Sequence, residues 1–184
     1  TMVQSLEKSA HKTPVSLFEE AVTAANKAVF EESASHVEYE GMGTTVVACT
    51  LEENTLYIAN IGDSRLYLIR DGIEQITDDH SLVEEMVKQG NITESEARIH
   101  PQKNIITRAL GIKEEVQADF FEIDVEQGDV IMLCSDGLSN MIEDEDMEYI
   151  VKNSDTLQTA AESLVARANE NGGNDNITVV LAEV

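Results

Sequence analysis

Three strand-like apolar runs, each meeting a turn that carries an aspartate, constrain this chain more than any other feature. Val130–Cys134 is an unbroken apolar run that stops at Ser135-Asp136-Gly137. Leu56–Ile61 stops at Gly62-Asp63-Ser64, and Asp175-Asn176 immediately precedes the largely apolar run Ile177–Ala182. Short runs of this kind bounded by turn residues predict buried strands. An Asp beside a Gly is an ordinary way to end one, so each aspartate alone reads as a turn former. Three of them at strand ends, each beside a Gly, Ser or Asn that permits close approach, make a cluster of hard oxygen ligands if those ends share one rim of a sheet.

The rest of the chain supplies strands and helices in mixed order. Residues 13–35 predict a helix: Thr13 caps, Pro14 suits the first helical position, and Val15, Phe18, Val22, Ala25 and Val29 fall on one face. Residues 2–9 read as the end of an earlier helix. Strands are expected at 44–50, 55–61, 65–70 and 73–76, with Glu52-Glu53-Asn54 and Asp71-Gly72 as hairpin turns. Residues 77–103 turn polar and helical, with capping-box patterns at Ser81/Glu84 and Thr93/Glu96 and a stop at Gly90. Strands at about 116–124 and 129–134, helices at 143–153 and 155–171 with Asp155 as N-cap, and a strand at 177–183 complete an α+β or layered α/β pattern.

Composition narrows the function classes. The chain has 184 residues, enough for one domain with a substantial core, and 36 acidic against 12 basic side chains, a formal net charge of −24. Phosphate backbones and anionic membranes need a basic footprint, so no nucleic-acid and no membrane partner is expected. No apolar run approaches spanning length, and the first residues lack the apolar core of a signal peptide. Cys49 and Cys134 both fall inside expected buried strands and read as small core hydrophobes in a reducing compartment, which predicts a cytoplasmic protein.

Asp63, Asp136 and Asp175 suit Mg²⁺ or Mn²⁺, which keep several waters and need one or two carboxylates per ion. Two such ions about 4 Å apart share a carboxylate and activate a water for in-line attack on phosphorus. Other chemistries find less support. Ser135 is not in a G-x-S-x-G elbow, and neither Cys lies in an exposed loop near a His. Gly41-Met42-Gly43-Thr44-Thr45 is too short for a phosphate-cradling loop. His80 is a ligand, an acid or part of a helix-entry turn. Arg65 and Arg108 either meet phosphate or pair with acidic neighbours.

Taken in order, the motifs resemble one family, the metal-dependent serine/threonine protein phosphatases of type 2C. The matching pieces are Gly41–Thr45, Asn60-Ile61-Gly62-Asp63-Ser64-Arg65, Thr77-Asp78-Asp79-His80-Ser81, Arg108-Ala109-Leu110-Gly111, Ser135-Asp136-Gly137-Leu138 and Gly173-Asn174-Asp175-Asn176-Ile177-Thr178. The resemblance implies a single phosphatase-like domain over 1–184, an α+β four-layer α-β-β-α sandwich of two antiparallel sheets with flanking helices, and a flap at about 77–103. It implies two Mn²⁺ or Mg²⁺ ions with Asp136 and Asp175 as ligands, and a third, weaker ion at Asp63. No catalytic residue is expected beyond these metal ligands. The implied reaction is hydrolysis of phosphoserine or phosphothreonine in proteins, the substrates of a serine/threonine kinase, without a phosphoenzyme.

The family's early Arg, its Asn-Glu-Asp motif and its Asp-Gly-x-Gly-Gly segment, which carries the metal-bridging Asp, have no match here. The expectation is therefore an N-terminally incomplete form lacking the first strands of the fold. The alternatives are a catalytically inactive pseudophosphatase or phosphoprotein-binding module, and a plain acidic metal-binding protein.

Overall fold

The computed structural model describes Met2 and residues 13–184. The helix expected at 2–9 lies, Met2 apart, outside the described residues. The chain divides into two compact units, one formed by the residues up to Gly62 with His80–Ile123, the other by Asp63–Asp79 with Asp124–Val184. Each unit carries one sheet with helices against it, so the expected α+β class with two antiparallel sheets holds.

In the first unit, helix α1 (Pro14–Ser35) begins as its sequence dictates. Thr13 is extended, its hydroxyl accepts the Ser16 N–H at 3.4 Å, and Pro14 occupies the first turn. Phe18, Ala21, Val22 and Ala25 are buried at helical spacing. Val22 and Ala25 meet Ile61 and Leu110, with Val29 packed alongside. Strands β1 (Val46–Glu52) and β2 (Thr55–Ile61) pair antiparallel, from Val46 opposite Ile61 to Glu52 opposite Thr55. Strand β5 (Asp119–Asp124) lies on the other side of β2. The central position of β2 explains its nearly continuous burial. Strand β1 is, like β5, an outer strand among the described residues, and Cys49 is only half-buried there, which corrects the expectation of a buried thiol.

Two short helices follow in this unit, α2 (Leu82–Lys88) and α3 (Glu94–Arg98). The Ser81 hydroxyl accepts the Glu84 N–H, and Thr93 and Glu96 close a full capping box.

A polar residue on the apolar face of α1 locks a loop. Asn26 is 2% exposed; its amide donates to the carbonyls of Lys113 at 3.0 Å and Glu114 at 2.9 Å, and its oxygen accepts the Gly111 N–H at 2.7 Å. Gly111 takes a φ of +90°, and a Cβ there would lie 2.3 Å from a Val29 methyl. After this loop β5 begins at Asp119, three residues later than the expected 116. Asn26→Ala leaves the buried Gly111 N–H and two part-buried carbonyls without their partner, so a loss of about 2 kcal/mol in urea denaturation is expected. Asn26→Asp should cost more, because a carboxylate would face two carbonyls. A loss below about 0.5 kcal/mol for Asn26→Ala would show that those groups find other partners.

The second unit holds a four-stranded sheet in the order β4 (Ile73–Gln75), β3 (Arg65–Ile69), β6 (Val130–Cys134), β7 (Val179–Glu183), every pair antiparallel. Tyr67, Ile69, Met132 and Cys134 share a core with Leu138 of α4 (Asp136–Ser139), Met147 and Val151 of α5 (Asp144–Lys152), and Ala160, Leu164 and Ala168 of α6 (Leu157–Glu170). The alanines let α6 approach closely, and Leu164 is fully buried. The N-cap of α6 is Thr156, not Asp155: Thr156 is the extended residue, and its hydroxyl accepts the Thr159 N–H at 3.1 Å.

Candidate functional site

Register places the three aspartates. Arg65 at the start of β3 stands opposite Cys134 at the end of β6, and Cys134 stands opposite Val179 at the start of β7. Asp63 precedes β3 by two residues, Asp136 follows β6 by two, and Asp175 lies four residues before β7. Antiparallel pairing therefore brings all three to the same end of one sheet. Asp63, which in the sequence closes the run of β2, also leads into β3.

The electrostatics of that edge agree. Burial pushes the Asp63 carboxyl up to about 6, with the charges of Asp136 and then Asp79 adding to the effect. Burial raises Asp136 as well, and Asp175 is the next cause. The charge of Asp136 is thus felt at Asp63, and that of Asp175 at Asp136. It accepts a 3.3 Å hydrogen bond from the Asn140 amide on Oδ2, and Asp175 accepts the Asn176 N–H at 2.7 Å on Oδ1. Asp136 takes a backbone hydrogen bond from Gly137 as well.

These residues fit a divalent ion of the Mg²⁺ or Mn²⁺ type. The donors are hard oxygens, the mutual repulsion is what a bound cation relieves, and two carboxylates per ion suffice. Among the described residues no group of three or more His, Cys, Asp or Glu side chains closes around a single point. The electrostatic links run from Asp136 to Asp63 and to Asp175.

A pH dependence follows. A carboxyl raised from its ordinary 3.8 to about 6 keeps its proton in the folded state over a range where the unfolded chain has lost it. The metal-free protein should therefore lose stability as pH rises from about 4 to 6. Asp63→Asn should flatten that fall in melting temperature measured in EDTA, and Mn²⁺ at pH 7 should restore stability to the unsubstituted chain. An identical pH profile in the variant would show that Asp63 does not carry the effect.

The basic and nucleophilic candidates resolve into structural roles. Arg65 forms a two-pronged pair with Asp79, Nε to Oδ1 at 2.9 Å and Nη2 to Oδ2 at 2.8 Å, and also donates to the Tyr67 hydroxyl at 2.9 Å. Its side chain is 21% exposed and that of Asp79 11%. Arg108 pairs with Asp119 at 2.6 Å and donates to the Gln117 carbonyl at 3.1 Å. His80 is buried: Nδ1 accepts the Gly62 N–H at 3.0 Å, so Nε2 carries the ring proton and donates to Asp119 at 3.0 Å. Burial pushes the Cys134 thiol up to about 12, and burial raises Cys49 too, so neither is a thiolate near neutral pH.

Sequence reasoning missed the Asp79 partner of Arg65 and the hydrogen bonds of Ser135. The Arg65 signal was within reach, since the Asp71-Gly72 hairpin folds residues after β4 back beside the start of β3.

Fold and site together define an α+β protein with an oxygen-donor edge suited to divalent cations. Comparison with known proteins gives the family. The family model described as Protein phosphatase 2C matches residues 2–177, and the chain belongs to that family. It is 42% identical over 166 residues to the serine/threonine phosphatase Stp of Listeria monocytogenes, covering 90% of this chain and 66% of that relative. It is 48% identical over 147 residues to the protein phosphatase PhpP of Streptococcus pneumoniae, covering 79% of this chain and 60% of that protein. The chain thus spans about two thirds or less of these relatives' lengths. Among solved structures, the serine/threonine phosphatase Stp1 of Staphylococcus aureus superposes with a TM-score of 0.92 at 33% identity, over 100% of this chain and 75% of that one. The catalytic domain of the serine/threonine protein phosphatase PstP, solved with 2 manganese ions, gives 0.86 at 34% identity, over 99% and 78%.

Proposed function

We propose that this chain carries part of the metal centre of a cytoplasmic enzyme that hydrolyses phosphoserine and phosphothreonine in proteins, with Asp136 and Asp175 as ligands of Mn²⁺ or Mg²⁺ and Asp63 as ligand of a further, weaker ion. One observation carries the reading: the β3-β6-β7 register brings these three carboxylates to one end of a sheet. The family's named phosphatases support the reaction class, and the manganese-bound PstP domain supports the metal. When bound, the ions supply positive charge for the phosphoryl oxygens and an activated water for in-line attack.

The chain's own residues do the holding. Asp136, linked by charge to both Asp63 and Asp175, would be the ligand that ties the sites together. Asp175 keeps Oδ2 for a cation while Oδ1 takes the Asn176 N–H. The Ser135 hydroxyl is spent on two backbone hydrogen bonds and the Cys134 thiol is protonated, so no phosphoenzyme forms on either. The substrates are phosphoproteins made by a serine/threonine kinase.

The test is Mn²⁺-dependent phosphate release from a phosphothreonine peptide, with Asp136→Asn as control. Release that the variant loses supports the proposal. Tight Mn²⁺ binding without release would favour a non-catalytic phosphoprotein-binding module, for which the open arrangement is the motivating observation.

A further inference from the structure

Asp136 and Asp175 lie on separate turns, and something must fix the gap between them. The segment Ser135–Gly137 meets the segment Asn176–Thr178 at unusually short range. The Ser135 hydroxyl donates to the Asn176 carbonyl at 3.0 Å and accepts the Thr178 N–H at 3.0 Å, while the Ser135 N–H donates to the Thr178 carbonyl at 3.1 Å. On the far side of Asp136, a Cβ on Gly137 would sit 2.4 Å from the Asn176 oxygen and 3.0 Å from its carbonyl carbon. Gly137 has no positive φ, so closeness alone demands glycine there. Each proposed ligand is thus flanked by a residue of this clasp: Asp136 by Ser135 and Gly137, Asp175 by Asn176.

We propose that the Ser135 hydroxyl is a positioning residue for the metal centre, a two-way strap that holds the Asp136 and Asp175 carboxylates at the separation a shared cation site needs. This rests on the metal reading above. The hydroxyl touches neither metal nor substrate and acts only through the two backbones. Plain strand-end packing would leave metal affinity alone when the hydroxyl is removed, because the Ser135 N–H bond and the β6–β7 ladder persist. Positioning would not, since neighbours that orient metal ligands are typically worth about 10-fold to 100-fold in affinity.

The experiment is calorimetric titration of Mn²⁺ into the chain and into S135A, S135T and G137A, with far-UV circular dichroism to confirm that each is folded. S135A is expected to bind about 10-fold more weakly, S135T to stay near the unsubstituted chain because it keeps the hydroxyl, and G137A to bind more weakly than S135A. In the intact phosphatase, S135A should raise the Mn²⁺ concentration for half-activation while leaving kcat at saturating Mn²⁺ nearly unchanged. Equal affinity in S135A and the unsubstituted chain overturns the inference and leaves the metal reading standing. Equal weakening in S135A and S135T also overturns it, since the hydroxyl would then not be the cause. No Mn²⁺ binding by the unsubstituted chain overturns the metal reading and this inference together.

Discussion

In the intact phosphatase, Asp136→Asn is expected to reduce Mn²⁺-dependent activity by about a hundredfold or more, because on the proposed reading several kcal/mol of transition-state charge stabilisation would depend on the ions it holds. Asp136 is electrostatically linked to both Asp63 and Asp175, so its loss is felt at both. The fold should survive. The substitution keeps the side chain's shape and removes a charge that burial and Asp175 both disfavour in the metal-free protein. The variant should therefore be no less stable than the parent in EDTA while failing to gain stability from Mn²⁺. Asp175→Asn should match it in activity. Asp63→Asn should do less to metal occupancy and more to turnover, as suits a weaker ion. Equal loss of tight Mn²⁺ binding in all three variants would contradict that ranking.

The second large effect concerns stability. Asp79→Ala should destabilise the chain by about 3–5 kcal/mol, because it strands the largely buried Arg65 guanidinium without its carboxylate. At this chain length that is a fall in melting temperature on the order of 10 °C. An opposing effect exists, since Asp79 is one of the charges that raise Asp63. It ranks behind burial and Asp136 and should not reverse the sign. The double substitution Arg65→Met with Asp79→Leu leaves no unpaired charge and should recover most of the loss, as read by urea denaturation. If Asp79→Ala alone cost less than about 1 kcal/mol, the pair would have to be treated as an exposed one.

The strands, most helices and the three aspartates were legible because each depends on local pattern. Val130–Cys134 is apolar throughout and stops at a turn, and Thr13-Pro14 announces a helix start. What was not legible depends on pairing. Nothing local shows that β3, β6 and β7 are neighbours, and their register alone brings the three aspartates to one end of a sheet. Arg65 was ambiguous for the same reason: in a chain with 36 acidic residues, only the β3–β4 hairpin selects Asp79. Asn26 left a faint signal as a polar residue beside Ala25 on the apolar face of α1, but its partners lie 85 to 88 residues away. The cap of α6 was misplaced by one residue because Asp155 and Thr156 are both good N-cap types, and the extended backbone at Thr156 decides between them.

If Asp136 and Asp175 hold a divalent cation at one end of the second unit's sheet, the ion must be visible between them. Anomalous diffraction at the manganese edge, from crystals of the chain soaked in Mn²⁺, tests it most directly. A manganese peak with oxygens of both carboxylates at roughly 2 Å is expected. Manganese found only elsewhere on the acidic surface, with Asp136 and Asp175 bound to water alone, would contradict it.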